Sequence, residues 1–535
     1  MDTTPYWQKQ HPNCFQFAAL SEPAHFDVVI IGGGITGLTA GWLLKQSGKR
    51  VCVLERGRIG HGETGHTTAH LTQVTDQHFS RIYDYYFGGP EADLVWSGGA
   101  AAIDFIESQV LEYNIDCNFQ RVPGFLMEPL FAFPDYQLTH LKRDAELANR
   151  AGWPAQYLSM VPGFHKSGVL WPDQARFDPP GYLMKLAQLI DGDGSRVFEK
   201  TDAEILDSRS HRVAANGVTL ECEDLVIATH VPPGSANNLL AAVMLQSKIY
   251  PYTTYAISGT MPKGQFPEAL YWDTGSPYYY LRVDEHEADC RFIFGGEDHK
   301  TGQVEATRSP FEWLEEVLRR FAAELHIDSR WSGQVIETND GLPYIGEIRP
   351  HQFVATGFSG NGMTFGTLAG LMACDSILKR SNPWSDLFSI DRRKVRGGLW
   401  KYLSENVDYP YYMLRDWFTR GAQESPENIR RGEGRVLTVD GQRIACSRDK
   451  SGVLHQVRAQ CTHMGCLVRW NEAEHTWDCP CHGSRFAMNG EVIAGPAATP
   501  LPSIQPPESS AAPVTSSPAP EKSQAADALH AGPSS

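Results

Sequence analysis

Residues 28–56 read VVIIGGGITGLTAGWLLKQSGKRVCVLER. The apolar run Val28–Ile31 opens a buried strand, glycines interrupt it, a helical stretch follows, and a second apolar run ends in Glu55. Within the turn, Gly32-x-Gly34-x-x-Gly37 has a physical reading. Gly32 permits a tight turn, Gly34 lets the backbone approach a pyrophosphate, and Gly37 lets the helix pack closely on the strand. The helix start at Ile35 and Thr36 presents unsatisfied N–H groups and a favourable dipole to phosphates. Glu55, followed by Arg56, is placed to accept hydrogen bonds from ribose hydroxyls. A lone glycine-rich turn would carry little weight. Strand, glycines, helix, strand and acid together predict a dinucleotide-binding α/β domain.

The 535-residue chain is longer than one compact core and predicts several domains. Its 41% hydrophobic and 21% charged composition is that of an ordinary globular protein. Lys+Arg is 47 against Asp+Glu 63, a formal charge of −16 that would repel a nucleic-acid backbone. The short basic run RRKVRGG at 392–398 reads as solvated surface. The N-terminus MDTTPYWQKQHPNCFQF lacks the basic start and apolar run of a secretory signal. No stretch reaches the roughly 18 apolar residues of a membrane helix. Of eleven cysteines, seven are scattered singly, unlike a disulfide framework. A cytoplasmic location is expected.

Residues 1–24 form a polar lead, and alternating α/β patterning runs from 25 to about 380. Inside it, about 245–330 reads as a substrate subdomain. SKIYPYTTYAISG (247–259), YYYLRVD (278–284) and CRFIFGGED (290–298) alternate like antiparallel strands. PFEWLEEVLRRFAAEL (310–325) has helical periodicity. An aromatic connecting segment spans 381–425, and short strands over 426–504 predict a small all-β module. The Pro/Ser/Ala-rich tail 505–535 cannot bury enough apolar surface to offset its ordering entropy and is expected to be disordered.

Further stretches make residues 25–380 resemble the FAD-dependent oxidoreductases of the D-amino-acid oxidase and glycine oxidase type. GRIGHGETGHTTAHLT (57–72) looks like the family's second flavin-lining stretch and contains Thr64 and His66. TDAEILD (201–207) and LECEDLVIATH (220–230) resemble the return to the adenine side, placing Ala203 near the adenine. TNDGLPYIGEI (338–348) and FVATGFSGNGMTFGTLAG (353–370) resemble the closing motif, which brings Gly360, Gly362, Met363 and Thr364 to the isoalloxazine. In GETGH, His66 stands where the dimethylglycine dehydrogenase group holds a histidine bonded covalently to the flavin. Non-covalent contact and a structural role are the alternatives. On the substrate side, Tyr280 and Arg282 are candidates, an aromatic face suiting an amine and a guanidinium a carboxylate. Flavin amine oxidation demands alignment rather than a fixed acid/base pair, so no catalytic base is assigned.

Near the C-terminus, CTHMGCLVRWNEAEHTWDCPCHGS (461–484) holds four cysteines and three histidines. Cys461-x-His463 and Cys479-x-x-His482 each pair one Cys with one His. Tetrahedral zinc and a plain disulfide staple are alternatives. One Cys and one His on each of two loops is also the ligand set of a Rieske 2Fe-2S centre, with two cysteines on one iron and two histidines on the other. Residues 430–502 resemble Rieske proteins: CTHMGC and CPCHGS match the cluster loops, and GPAATPL (495–501) looks like the covering loop. By that resemblance Cys466 and Cys481 form the inter-loop disulfide of the cytochrome bc type, and Ser484 donates to a cluster sulfide. Phe486 replaces the hydroxyl-bearing tyrosine of the respiratory proteins. That implies a potential below theirs yet above the roughly −400 mV of plant-type ferredoxins. The spare His475 is expected at the surface.

The fold class expected is therefore an α/β FAD-binding Rossmann-type domain with an interleaved antiparallel-sheet substrate domain, followed by a small all-β Rieske domain. The function expected is oxidation of a small amine or amino acid, with electrons passing from FAD through the 2Fe-2S cluster to an acceptor the sequence does not identify. An oxygen-using amine oxidase with an accessory cluster, a reductase with reversed flow and a non-catalytic redox sensor are the alternatives.

Overall fold

The computed structural model describes residues 2–12, 15–86, 88–131, 135–207, 212–232, 245–303, 309–392, 415 and 425–504. Most of the connecting segment and the whole tail 505–535 therefore lie outside the described residues.

The opening stretch forms strand His25–Ile31, helix Ile35–Gln46 and strand Val51–Leu54. The first strand is the centre of a parallel sheet. Val28 pairs with Val51 on one side and with Asp224 of strand Val218–Ile227 on the other. Strands Gln352–Thr356 and Arg196–Phe198 extend the sheet in parallel, and Tyr344–Arg349 closes one edge antiparallel. Val28, Val29 and Ile30 are fully buried, as expected of a strand covered on both faces. Gly37 sits where a Cβ would lie 2.0 Å from the Gly32 carbonyl oxygen, so only glycine lets this helix descend onto the turn. The helix Gly362–Ile377 crosses helix Ile35–Gln46 through the same device. A Cβ on Gly366 would lie 2.7 Å from Ile35, and one on Gly370 2.6 Å from Thr39. That crossing brings the start of the closing helix to the carboxyl ends of the parallel strands, where ligands of such sheets bind.

The second sheet runs in the order His326–Thr338, Ile249–Met261, Cys290–Lys300, Tyr280–Glu285, Ala269–Asp273, Gln120–Met127, Gly168–Arg176 and His70–Leu71. Pairing is antiparallel except between Ala269–Asp273 and Gln120–Met127. The helix expected over 310–325 spans Pro310–Arg319. Turns then lead from Arg320 into strand His326–Thr338, which pairs with Ile249–Met261 from His326.

Two small antiparallel sheets follow: Gly434–Val439, Gln442–Arg448 and Leu454–Arg458, then Arg469–Asn471, Thr476–Asp478, Arg485–Phe486 and Val492–Ala494. The two Cys/His loops leave these strands side by side. Among the described residues no helix is long and apolar enough to cross a membrane.

Candidate active site and metal centre

A cavity of about 760 Å³ lies at the carboxyl ends of the parallel strands. Gly32, Gly34, Ile35, Thr36, Glu55, Arg56, Thr64, His66, Ala203, Gly360, Gly362 and Met363 all line it. The Glu55 carboxylate accepts the N–H groups of Gly33 (2.8 Å) and Gly57 (2.7 Å), and burial pushes its pKa up. Thr64 Oγ1 accepts the Ile35 N–H at 3.3 Å, tying the second flavin-type stretch to the helix start. His66 Nδ1 lies 2.9 Å from the Gly62 carbonyl, an acceptor, so Nδ1 carries the proton and Nε2 is the nitrogen left for a ligand.

Two candidates stand back from the cavity. Gly37 acts through helix packing. Thr364 Oγ1 donates to the carbonyls of Thr72 (3.2 Å) and Asn361 (3.3 Å), bracing the helix start from beneath.

The substrate-side expectation for Arg282 is corrected. Its guanidinium is buried, grips Asp284 at 2.8 and 2.7 Å, and donates to the Phe177 carbonyl at 2.8 Å. A guanidinium in a closed ion pair cannot clamp a substrate carboxylate. Tyr280 does line the cavity, and its hydroxyl lies 2.6 Å from Thr254 Oγ1. Sequence reasoning missed its neighbours His70, Asp76 and Trp272, and took Tyr278 only as part of the tyrosine run 278–280. The His70 ring meets Trp272 and Tyr280 edge-on at 6.4 and 6.1 Å, and burial pushes its pKa down to about 4, so it is neutral at physiological pH. His70, Trp272 and Tyr280 come from three separate strands, Asp76 and Tyr278 from loops, and Trp272 pairs directly with Tyr280 across two of those strands.

The other side of the same cavity belongs to the C-terminal module. Thr462, His463 and Ile493–Thr499 line it directly. Cys461, Cys479, Cys466 and Cys481 are all buried, and Cys466 is bonded to Cys481. Cys461 and Cys479 share a hydrogen bond that pulls the Cys461 thiol down to about 7, while the shared proton and burial push Cys479 up. The His463 and His482 rings meet edge-on at 4.8 Å. Burial lowers both histidine pKa values, that of His482 to about 4, so both are neutral donors at physiological pH. His463 Nδ1 is buried with no hydrogen-bond partner. Two buried thiols, two neutral imidazoles and an orphaned ring nitrogen fit a mixed Cys/His cluster.

The covering loop is tied to both cluster loops. Thr462 Oγ1 donates to the Thr499 carbonyl at 2.6 Å, and Ser484 Oγ accepts the Ala497 N–H at 3.1 Å. His475 departs from expectation: it is half-buried, with its ring tilted against Trp470 at 5.9 Å.

The disulfide closes a loop of 15 residues in sequence. Replacing Cys466 with serine should lower the stability of the module by about 3 kcal/mol. Thermal unfolding followed at the cluster absorbance checks this, and the flavin content should not change.

The module docks on the flavin half through several direct bonds. Gln334 Nε2 donates to the Gly483 carbonyl (2.9 Å), Gln303 Nε2 to Pro480 (3.0 Å) and Arg56 to Ile493 (2.7 Å). Gly302 is a point of close approach, where a Cβ would lie 2.8 Å from the Pro480 nitrogen.

With this geometry in view, comparison with known proteins assigns the class. Residues 27–376 match the FAD dependent oxidoreductase family, and residues 422–505 match the Rieske [2Fe-2S] domain. The chain belongs to the FAD-dependent oxidoreductase family and carries a C-terminal Rieske domain. It is 33% identical over 513 residues to YhfW of Bacillus subtilis (strain 168), named as a Rieske 2Fe-2S iron-sulfur protein. That match covers 93% of this chain and 97% of YhfW. Gamma-glutamylputrescine oxidoreductase of Escherichia coli (strain K12) is 24% identical, over 77% of this chain and 98% of its own. Glycine oxidase from Geobacillus kaustophilus shares the fold of the larger, FAD-dependent oxidoreductase part. Its TM-score is 0.56 at 21% identity, covering 69% of this chain and 99% of that one.

Proposed function

We propose that the protein is a dehydrogenase that oxidises a small amine or amino acid in a reducing, cytoplasmic setting and delivers the electrons to an external acceptor through its Rieske cluster. When bound, FAD supplies two-electron hydride acceptance and the cluster supplies one-electron transfer. The observation that carries this reading is the shared cavity. The dinucleotide turn at Gly32–Gly34 and the cluster loop at Thr462–His463 are walls of one space.

Within that reading, Gly32, Gly34, Ile35 and Thr36 hold the pyrophosphate, and Glu55 and Arg56 take the ribose. Ala203 would lie near the adenine, while Thr64, His66, Gly360, Gly362 and Met363 would line the flavin. Cys461, His463, Cys479 and His482 would hold the irons. His70, Trp272, Tyr278 and Tyr280 orient the substrate and exclude water from it.

An aromatic wall with the Asp76 carboxyl beside it in the cavity favours a cationic amine. Asp298 is packed behind Tyr278 and Tyr280 with Thr254, Asp76, Glu297 and Glu337 around it. Its Oδ1 is shielded from solvent without a hydrogen-bond partner, and burial pushes its pKa up to about 8. In the folded protein this acid therefore holds its proton to a higher pH than in the unfolded chain. Stability should fall as pH rises from about 4 to about 8, because the native state binds more protons across that window. Thermal unfolding of wild type and Asp298→Asn over that range checks this, and the variant should flatten the slope.

The reading itself is tested by turnover with a soluble one-electron acceptor beside oxygen uptake. Acceptor reduction should account for the substrate consumed. Oxygen uptake matching substrate loss, with the acceptor untouched, would make the protein an oxidase instead.

A further inference from the structure

We propose that Gln246, a residue of the flavin half, is a positioning residue for the Rieske cluster: it accepts the outer N–H of His463, sets that ligand's tautomer and holds the cluster potential down. The sequence separates the two residues by 217 positions, yet His463 Nε2 lies 3.1 Å from Gln246 Oε1. Which end of an amide faces a histidine is decided by the amide's other partner. Here that partner is the Pro232 carbonyl, which accepts from Gln246 Nε2 at 3.2 Å. A carbonyl cannot donate, so the amide must offer Pro232 its NH2 group and His463 its oxygen. Nε2 of His463 is therefore the protonated nitrogen. Nδ1 becomes the lone-pair nitrogen, and it is the one buried with no hydrogen-bond partner. Gln246 is itself 4% exposed, so its end of the bond is shielded from water.

The other docking bonds from Gln334, Gln303 and Arg56 end on backbone carbonyls and carry no tautomer information. The Gln246 bond ends on a ligand side chain. An acceptor on the outer N–H of a metal-bound imidazole raises the electron donation of the ring. More donation stabilises the oxidised cluster and lowers its potential. The flavin half thus tunes the cluster through one amide.

The proposal needs only the cluster, not the relay, so its test avoids turnover. Holoprotein is titrated at fixed pH with a chemical reductant, and the cluster is followed by electron paramagnetic resonance. Gln246→Leu, which removes the acceptor, should shift the reduction equilibrium about tenfold towards the reduced form, about 59 mV upward for a one-electron couple. Gln246→Glu, isosteric but lacking the NH2 that the Pro232 carbonyl accepts, is the stronger acceptor once ionised and should then shift it downward, with iron content unchanged in both. Opposite signs distinguish tuning from damage, since simple loosening of the interface would move both variants the same way. Shifts of one sign, or none, would overturn the proposal. A wild-type cluster that substrate fails to reduce would count against the relay alone and leave this titration intact.

Discussion

Replacing Cys479 with serine is expected to abolish the Rieske resonance signal while leaving the flavin bound and reducible by substrate. Cys479 is 1% exposed, its Sγ hydrogen-bonds Cys461, and its backbone N–H is committed to the Ser484 carbonyl at 2.8 Å. The loop therefore has no slack with which to recruit another ligand. A hydroxyl is also a poor substitute for a thiolate on iron. The dinucleotide turn and its helix belong to the other half of the chain and should fold regardless. Turnover with a one-electron acceptor should fall by on the order of 100-fold or more, since losing even an outer partner of a metal ligand costs about 10- to 100-fold. Anaerobic bleaching of the flavin by substrate should persist. Equal loss of both would mean that the cluster module is needed to build the flavin cavity and not only to drain it.

Substitution of Gly32 by alanine is expected to have the second large effect. Its φ is +113°, and an added Cβ would lie 2.3 Å from the Ala228 carbonyl oxygen. That oxygen belongs to backbone at the end of the paired strand Val218–Ile227 and cannot swing aside. Strained φ and backbone collision together should cost about 2–4 kcal/mol and eject the cofactor. Gly192 separates the two effects: its φ is +112° with nothing within 4 Å of an added Cβ, so Gly192→Ala should cost only about 1–2 kcal/mol. Flavin absorbance after desalting and the thermal midpoint check both variants.

The parts of this protein legible in its sequence are those whose chemistry is local. Gly32, Gly34 and Gly37 announce a turn because no side chain fits there, and the glycines of the closing helix follow the same logic. The alternation of Cys and His within two short loops announces a metal centre before any fold is known. The substrate wall was far less legible. Tyr280 stood out in a run of three tyrosines, but His70 and Trp272 join it only through strand register, and Asp298 gains its character from burial. Arg282 misled because an arginine two residues from a cavity tyrosine shares its strand face, while Asp284 two residues further on consumes it. Gln246 and Gln334 carried no signal. A glutamine on the flavin half acquires meaning only when the module from the far end of the chain docks against it.

The central claim is that one cavity joins substrate oxidation to the cluster. Its most direct test is anaerobic addition of amines and amino acids to the holoprotein, with flavin absorbance and the cluster resonance followed together. For the true substrate the flavin should bleach and the reduced Rieske signal should appear in the same sample without any mediator. A bleached flavin beside a cluster that stays oxidised would contradict the relay.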